Sequence, residues 1–208
     1  MSSELLAQGV AELGLPVQAD IQTKLTAYLA LIAKWNRVHN LTAVRDSEKM
    51  VSVHALDCLA AAPHLNARTV VDVGSGAGLP GIPLALMWPD ASVVVLDSNH
   101  KKAAFLRQAV IELGLQNVEV VCERVEAWQP ARKFELVISR AFSDLAEFLK
   151  LAGRLCADNG MVAAMKGVYP DEELAQLPAT FKLLRTIALK VPGLNAERHL
   201  VLLTPTGT

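Results

Sequence analysis

Four glycines, at 74, 76, 78 and 81, stand within eight residues, between the apolar run 70–73 and a second one that begins at Leu84. Glycine is required where a backbone takes positive φ or where a ligand touches the main chain. The N–H groups that open a helix have no partner inside it, so they can face a bound molecule. A strand, a tight glycine turn and a helix start therefore make a ligand cradle. An ordinary strand-to-helix turn does not call for four glycines. Some ~20 residues further on, Leu96-Asp97-Ser98 places a carboxylate where it can accept both hydroxyls of a ribose. Asp97 could equally cap the helix that follows, and the two roles are compatible. Glu123-Arg124-Val125-Glu126, Ser139-Arg140-Ala141 and Lys166-Gly167 each follow another apolar run. In an open parallel sheet the groups just after the strands collect at one edge, where ligands bind. The chemistry to expect there is recognition of an adenosine-containing cofactor.

The hydropathy pattern supplies the elements that position these groups. Strands are predicted over 69–73, 92–96, 118–121, 134–139 and 161–166. Helices are predicted between them over 82–87, 100–113, 125–128 and 144–156. Gly114 and Gly160 fall where a helix end or a turn belongs. Alternation of this kind, with strands of continuous Val, Leu and Ile, predicts a parallel sheet covered on both faces. The tail differs. Segments 181–191 and 199–204 read as strands joined across Pro192-Gly193 with no room for a crossover helix, so an antiparallel end is expected. Before residue 66 the pattern is helical: Ile21, Leu25, Tyr28, Leu29 and Ile32 lie on one face of a helix over 18–38. Segments 5–13 and 50–62 offer partners for that face. The chain thus divides into an N-terminal helical part, 1–66, and an α/β part, 67–208, expected to pack as one unit.

Composition bounds the function. Of 208 residues 52% are apolar and 20% charged, enough to bury a sizeable core. No apolar run approaches the roughly 20 residues of a membrane helix, and Glu4 with no positive segment argues against a secretory leader. Cys58, Cys122 and Cys156 are widely spaced among apolar neighbours, which predicts reduced core thiols in a cytoplasmic protein and neither a disulfide framework nor a zinc site. A net charge of −1 gives no reason by itself to expect a nucleic-acid partner. Between Lys34 and His54, however, Lys34, Arg37, Arg45 and Lys49 outnumber Asp46 and Glu48. The segment 34–46, KWNRVHNLTAVRD, carries many side chains able to make specific hydrogen bonds. A structural reading stands beside this one: Asn40 and Thr42 as caps, Trp35 as core.

The frame Gly76-x-Gly78-x-x-Gly81 fits the dinucleotide fingerprint, so an NAD-dependent oxidoreductase is one reading. Pro80 and Pro83 bracket the third glycine and delay the helix, which counts against it. The longer frame Asp72-x-Gly74-x-Gly76-x-Gly78 resembles the first motif of class I S-adenosylmethionine methyltransferases, and the antiparallel end resembles theirs. Several blocks narrow the resemblance. The segment 34–46, HALDCLAAAP at 54–63, DVGSGAGLPGIPLA at 72–85 and VLDSNHKKAAFLRQ at 95–108 resemble the RsmG, or GidB, family. So do RVEAW at 124–128, SRAF at 139–142 and ERHLV at 197–201. That bacterial family methylates N7 of one guanine in 16S ribosomal RNA. The likeness spans nearly the whole chain and is weakest over 1–17 and 168–190.

The resemblance implies a Rossmann-like class I fold and S-adenosylmethionine as cofactor. It implies 16S rRNA, within the small subunit or an assembly intermediate, as partner, with no membrane and no metal; a monomer is expected. It places Gly74, Gly76, Gly78 and Leu79 in the cofactor loop, Val125 and Glu126 at the adenine, and Arg140 at the cofactor site; Asp97 keeps the ribose by general class I logic. Lys34, Asn36, Asn40, Thr42, His54, Asp57, Lys166 and Arg198 fall in the family's blocks and are assigned to an RNA-facing rim. His54 and Asp57, three apart on one helix face, could instead join the helices to the sheet. Arg140 could instead pair with Glu126 or Asp144, Glu126 could be a surface acid, and Lys101, Lys102 and Arg107 read as a solvated helix face. No catalytic acid or base is assigned. Guanine N7 carries a lone pair and no proton, so positioning suffices. The sequence after the fourth strand lacks the Asn/Asp-Pro-Pro-aromatic motif of amino-group methylation, and no Pro-Cys nucleophile is present. A small-molecule methyltransferase and a non-catalytic RNA-binding module complete the alternatives.

Overall fold

The computed structural model describes residues 2–140, 142 and 144–207. Ala141, inside the 139–142 block, lies outside the described residues. Seven strands form one sheet in the order β3-β2-β1-β4-β5-β7-β6. β1 (Thr69–Val73) pairs in parallel with both β2 (Ser92–Leu96) and β4 (Phe134–Ser139). β3 (Val118–Val121) extends the parallel part on one side and β5 (Cys156–Lys166) on the other. β7 (His199–Pro205) runs antiparallel between β5 and the edge strand β6 (Phe181–Ala188). The predicted mostly parallel sheet with an antiparallel end is the one observed. The chain reverses its direction of travel between β1 and β4, which puts the switch point beside the glycine turn.

The two faces are covered differently. Helices α1 (Ser2–Glu12), α2 (Ala19–Asn36), α5 (Gly81–Met87) and α6 (His100–Leu113) pack on the face bearing Val70, Val93, Val95 and Ile138. So does one helical stretch made of α3 (Ser47–Met50), a π-helical segment (Val51–Leu56) and α4 (Asp57–Ala61). The opposite face, with Val71, Val73, Val94 and Val137, is covered by α7 (Leu145–Ala152), and α8 (Asp171–Ala175) packs beside that helix. The apolar stripe of α2 read from the sequence buries Leu25, Tyr28, Leu29 and Ile32.

Four expectations are corrected. The helix predicted over 144–156 ends at Ala152, because Gly153 tightens the chain into a 3₁₀ turn and frees Cys156 to begin β5. Gly160 lies inside that strand, at a bulge opposite Phe134; a Cβ there would stand 2.9 Å from the Phe134 and Ala157 carbonyl oxygens. Segment 125–128 is a single turn closed on the Arg124 carbonyl, too short to propagate as a helix. Cys122 is only partly buried, with its Sγ 3.3 Å from His100 Nδ1, whereas Cys58 and Cys156 are core residues; all three are free.

Candidate functional site

The glycine turn is held from three sides. Gly74, Gly76 and Gly78 take positive φ of 68°, 62° and 86°. The N–H groups of Gly74 and Ser75 donate to the Leu96 carbonyl at 2.9 and 3.0 Å, fastening the turn to the end of β2. Beneath it, fully buried Asp72 accepts the Ser75 hydroxyl at 2.5 Å and the Gly81 N–H at 2.9 Å. Burial pushes the Asp72 pKa up to about 6, against those hydrogen bonds, which lower it. From α2 the Tyr28 hydroxyl donates to the Ala77 carbonyl. A Cβ on Gly78 would stand 2.6 Å from Ile82 Cγ1 and 2.9 Å from both Leu106 Cδ2 and the Tyr28 hydroxyl, so packing forbids a side chain there. On Gly76 a Cβ would meet only the Gly74 carbonyl, at 3.9 Å; the turn is open at that point.

Asp97 closes the turn from β2. Its Oδ2 accepts the Gly76 N–H and its Oδ1 the Asn99 N–H, both at 2.9 Å, and Lys102 Nζ lies 3.8 Å away. It does not cap α6. Asn99 does, accepting from Lys101 and Lys102 N–H at 2.9 and 3.3 Å. A cavity of about 340 Å³ opens beside this carboxylate, lined by Gly74, Asp97, Lys102, Val125, Glu126 and Phe142 among others. The turn carrying Val125 and Glu126 is pinned from below by Arg154, whose Nη2 donates to the Val125 and Trp128 carbonyls, both at 2.6 Å. Glu126 is exposed, with Arg124 Nη2 3.5 Å from its carboxylate. Leu79 is buried beneath the turn, in the core.

Arg140 does not line that cavity. It reaches back to the helical stretch, where Nη1 donates to the Val53 carbonyl of the π-helical segment at 2.8 Å and to Oδ2 of Asp57, the first residue of α4, at 3.1 Å. The pairings with Glu126 or Asp144 weighed above do not form. Asp57 Oδ1 faces Arg198 Nε at 3.2 Å, so one buried carboxylate ties the helical part to the ends of β4 and β7. Burial raises the Asp57 pKa while the two guanidiniums pull it down. His54 is buried beside it, Nε2 against the Thr42 hydroxyl at 3.1 Å. Thr42, His54, Asp57, Arg140, Lys166 and Arg198 line a second cavity, also of about 340 Å³. Lys166 bridges the two, its Nζ 2.7 Å from Glu173 and 3.3 Å from the carbonyl of Phe142, which lines the first.

Three residues assigned to the rim do not line the second cavity. Asn36 is buried and turned onto its own loop: Oδ1 accepts the N–H groups of Leu41 and Thr42, and Nδ2 donates to the Val44 carbonyl. It shapes the rim and is not on it. Asn40 is exposed and accepts from Arg45 at 3.2 Å; Lys34 is exposed on the last turn of α2. Trp35 packs edge-on against Phe105, as core. Sequence reasoning missed Lys102, Asn99, Tyr28 and Arg154. The cap Asn99 and the first-turn position of Lys102 were available signals; the reach of Tyr28 and Arg154 to distant carbonyls was not. Among the described residues no group of three acidic, His or Cys side chains is placed to hold a metal, and no helix is long and apolar enough to cross a membrane.

Solved structures share this architecture. Mitomycin 7-O-methyltransferase MmcR superposes with a TM-score of 0.63 over 77% of this chain and 56% of its own, at 15% identity. TrmN from Thermus thermophilus gives 0.56 over 73% and 48%, at 20% identity. Ribosomal protein L11 methylase from Lactobacillus delbrueckii subsp. bulgaricus gives 0.55 over 72% and 76%, at 16%. The fold is that of the class I methyltransferases. Within that class, residues 21–201 match the family GidB, described as rRNA small subunit methyltransferase G, and the chain belongs to this family. Two relatives named Ribosomal RNA small subunit methyltransferase G are closely similar. The one from Laribacter hongkongensis is 60% identical, over 95% of this chain and 96% of its own. The one from Nitrosospira multiformis is 59% identical, over 97% of each.

Proposed function

We propose that the protein transfers the methyl group of S-adenosylmethionine to N7 of a specific guanine in 16S ribosomal RNA, in the cytoplasm. The observation that carries this is near-full-length identity of about 60% to relatives named for small-subunit rRNA methylation. The residues present fit the cofactor: a turn left open at Gly76, a carboxylate at the end of β2 and a cavity running to Val125 and Glu126. Gly74, Gly76 and Gly78 hold its methionine end, with Leu79 supporting the turn from the core. Asp97 takes the ribose hydroxyls with the lone pairs its backbone contacts leave open, and Val125 and Glu126 hold the adenine. Bound there, S-adenosylmethionine supplies a methyl carbon activated by a sulfonium.

Guanine N7 attacks without losing a proton, so this chain needs no general base. Its work is to hold acceptor and methyl in line, which converts a bimolecular encounter into an oriented one. Lys34, Asn40, Thr42, Lys166 and Arg198 form the RNA-facing side; His54, Asp57 and Arg140 brace it, with Arg140 acting on the cofactor side only through that brace. A chain of net charge −1 gains little from phosphate attraction, so shape and protein contacts in the small subunit or an assembly intermediate complete the recognition. Incubation with labelled cofactor and either naked 16S rRNA or whole subunits, then mapping of the modified base, tests this. Label on one guanine, at N7, is expected; reduction of NAD by a substrate, or methylation of free metabolites alone, would refute it.

A further inference from the structure

The Thr42 hydroxyl oxygen has two lone pairs. One takes the Val44 N–H at 3.2 Å and the other faces His54 Nε2 at 3.1 Å. Which partner carries the proton is decided on the far side of the ring. There His54 Nδ1 lies 3.5 Å from Arg140 Nη2, and a guanidinium only donates. Nδ1 is therefore the accepting nitrogen and Nε2 bears the hydrogen. Arg140 cannot turn away without giving up Asp57 at 3.1 Å and the Val53 carbonyl at 2.8 Å. Burial, then the Arg140 charge, lower the His54 pKa to about 4, against a backbone hydrogen bond to Val53 that raises it, so the ring is neutral at pH 7. Both Thr42 lone pairs are then filled from within the protein. Asn36 Oδ1 holds the Thr42 N–H at 3.1 Å and fixes the residue's place at the cavity wall. The hydroxyl hydrogen has one direction left, away from His54 and Val44.

We infer that Thr42 is a specificity residue whose hydroxyl, positioned by His54 and Arg140, is a fixed donor that donates to a carbonyl oxygen on the acceptor base and rejects an amino group there. This rests on the reading of the protein as a guanine-N7 methyltransferase. Guanine carries the acceptor O6 beside N7 on its major-groove edge, and adenine carries an amino donor at the same place. A threonine with open lone pairs could serve either base; one that can only donate serves guanine.

The test is single-turnover methyl transfer to reconstituted subunits carrying guanine or 2-aminopurine at the position the wild-type protein modifies. 2-Aminopurine keeps N7 and lacks O6. Thr42→Val, nearly the same shape, is expected to lose about tenfold on guanine and to leave 2-aminopurine transfer unchanged. Thr42→Ser should recover most of that loss. His54→Phe, which opens one lone pair, should narrow the preference for guanine over 2,6-diaminopurine, which keeps N7 and carries an amino donor in place of O6. Equal loss on both bases in Thr42→Val would mean a structural role and overturn the inference, as would no loss on guanine. Absence of transfer to guanine by the wild-type protein would overturn the functional reading itself.

Discussion

The two cavities at the carboxyl edge of the sheet are built by opposite means. The first is made of backbone: three positive-φ glycines, N–H groups tied to β2 and one carboxylate, all within about 25 residues of each other except the 125–126 turn. The second is made of side chains from five separate segments, drawn together by a buried carboxylate between two arginines. Backbone gives a cradle that any member of a fold can reuse for one cofactor. Side chains brought from an appended helical part give a surface that can differ from one methyltransferase to the next. Tyr28 joins them, since the helix that leads into the second cavity also holds the floor of the first.

Substitutions can break this division at either end. The largest effect is expected at Gly78→Val, where the new side chain collides with Ile82, Leu106 and Tyr28; a loss of ~3 kcal/mol or more in denaturant unfolding should accompany loss of cofactor binding. Gly76→Val has open space around it but must hold a β-branched residue at a φ of 62°, about 1–2 kcal/mol of backbone strain and less than Gly78→Val; it should abolish S-adenosylmethionine binding to the folded protein in calorimetry, and unchanged affinity would remove the turn from the cofactor site. Asp57→Ala leaves two guanidiniums without their shared partner. It should destabilise by about 3 kcal/mol, the low end for a buried pair because both arginines are about a quarter exposed, while cofactor affinity in the folded fraction is retained. Tyr28→Phe leaves the Ala77 carbonyl without its donor, about 1 kcal/mol in stability, with cofactor affinity weakened in step.

The smallest effect is on pH dependence. His54 has its pKa lowered to about 4, so it binds its proton less readily folded than unfolded. Its contribution is present above pH 6.5 and lost as pH falls towards 4. Asp72, raised to about 6 from 3.8, has the opposite sign: its contribution is present below 3.8 and lost as pH rises through 6. Stability of His54→Gln should therefore fall less steeply than wild type between pH 6.5 and 4, in denaturant titrations across that range.

The difference between the cavities also explains what was legible. The glycine turn, Asp97 and the strand ends are local in sequence, and the fold's alternation places them without further information. Resemblance supplied the second cavity's residues but not their arrangement. Nothing local says that Arg140 turns from Glu126 to Asp57, since that depends on the π-helical segment delivering Asp57 to the end of β4. Asn36 looks like any polar group in a hydrogen-bonding segment until its loop folds over it. The 125–128 turn and the early end of α7 went unread because one Gly153 and one long-range arginine decided them.

On the proposed function, cofactor and RNA are held by different regions. A crossed measurement on two variants tests it most directly: S-adenosylmethionine affinity by calorimetry and KM for 16S rRNA in small subunits, in Asp97→Ala and in Lys34→Ala. Asp97→Ala should lose cofactor affinity by tenfold or more. Lys34→Ala should keep it and raise the rRNA KM a few-fold, less so as salt is increased, since a phosphate contact is screened. Loss of both quantities together in Lys34→Ala, or unaltered cofactor affinity in Asp97→Ala, would contradict the division.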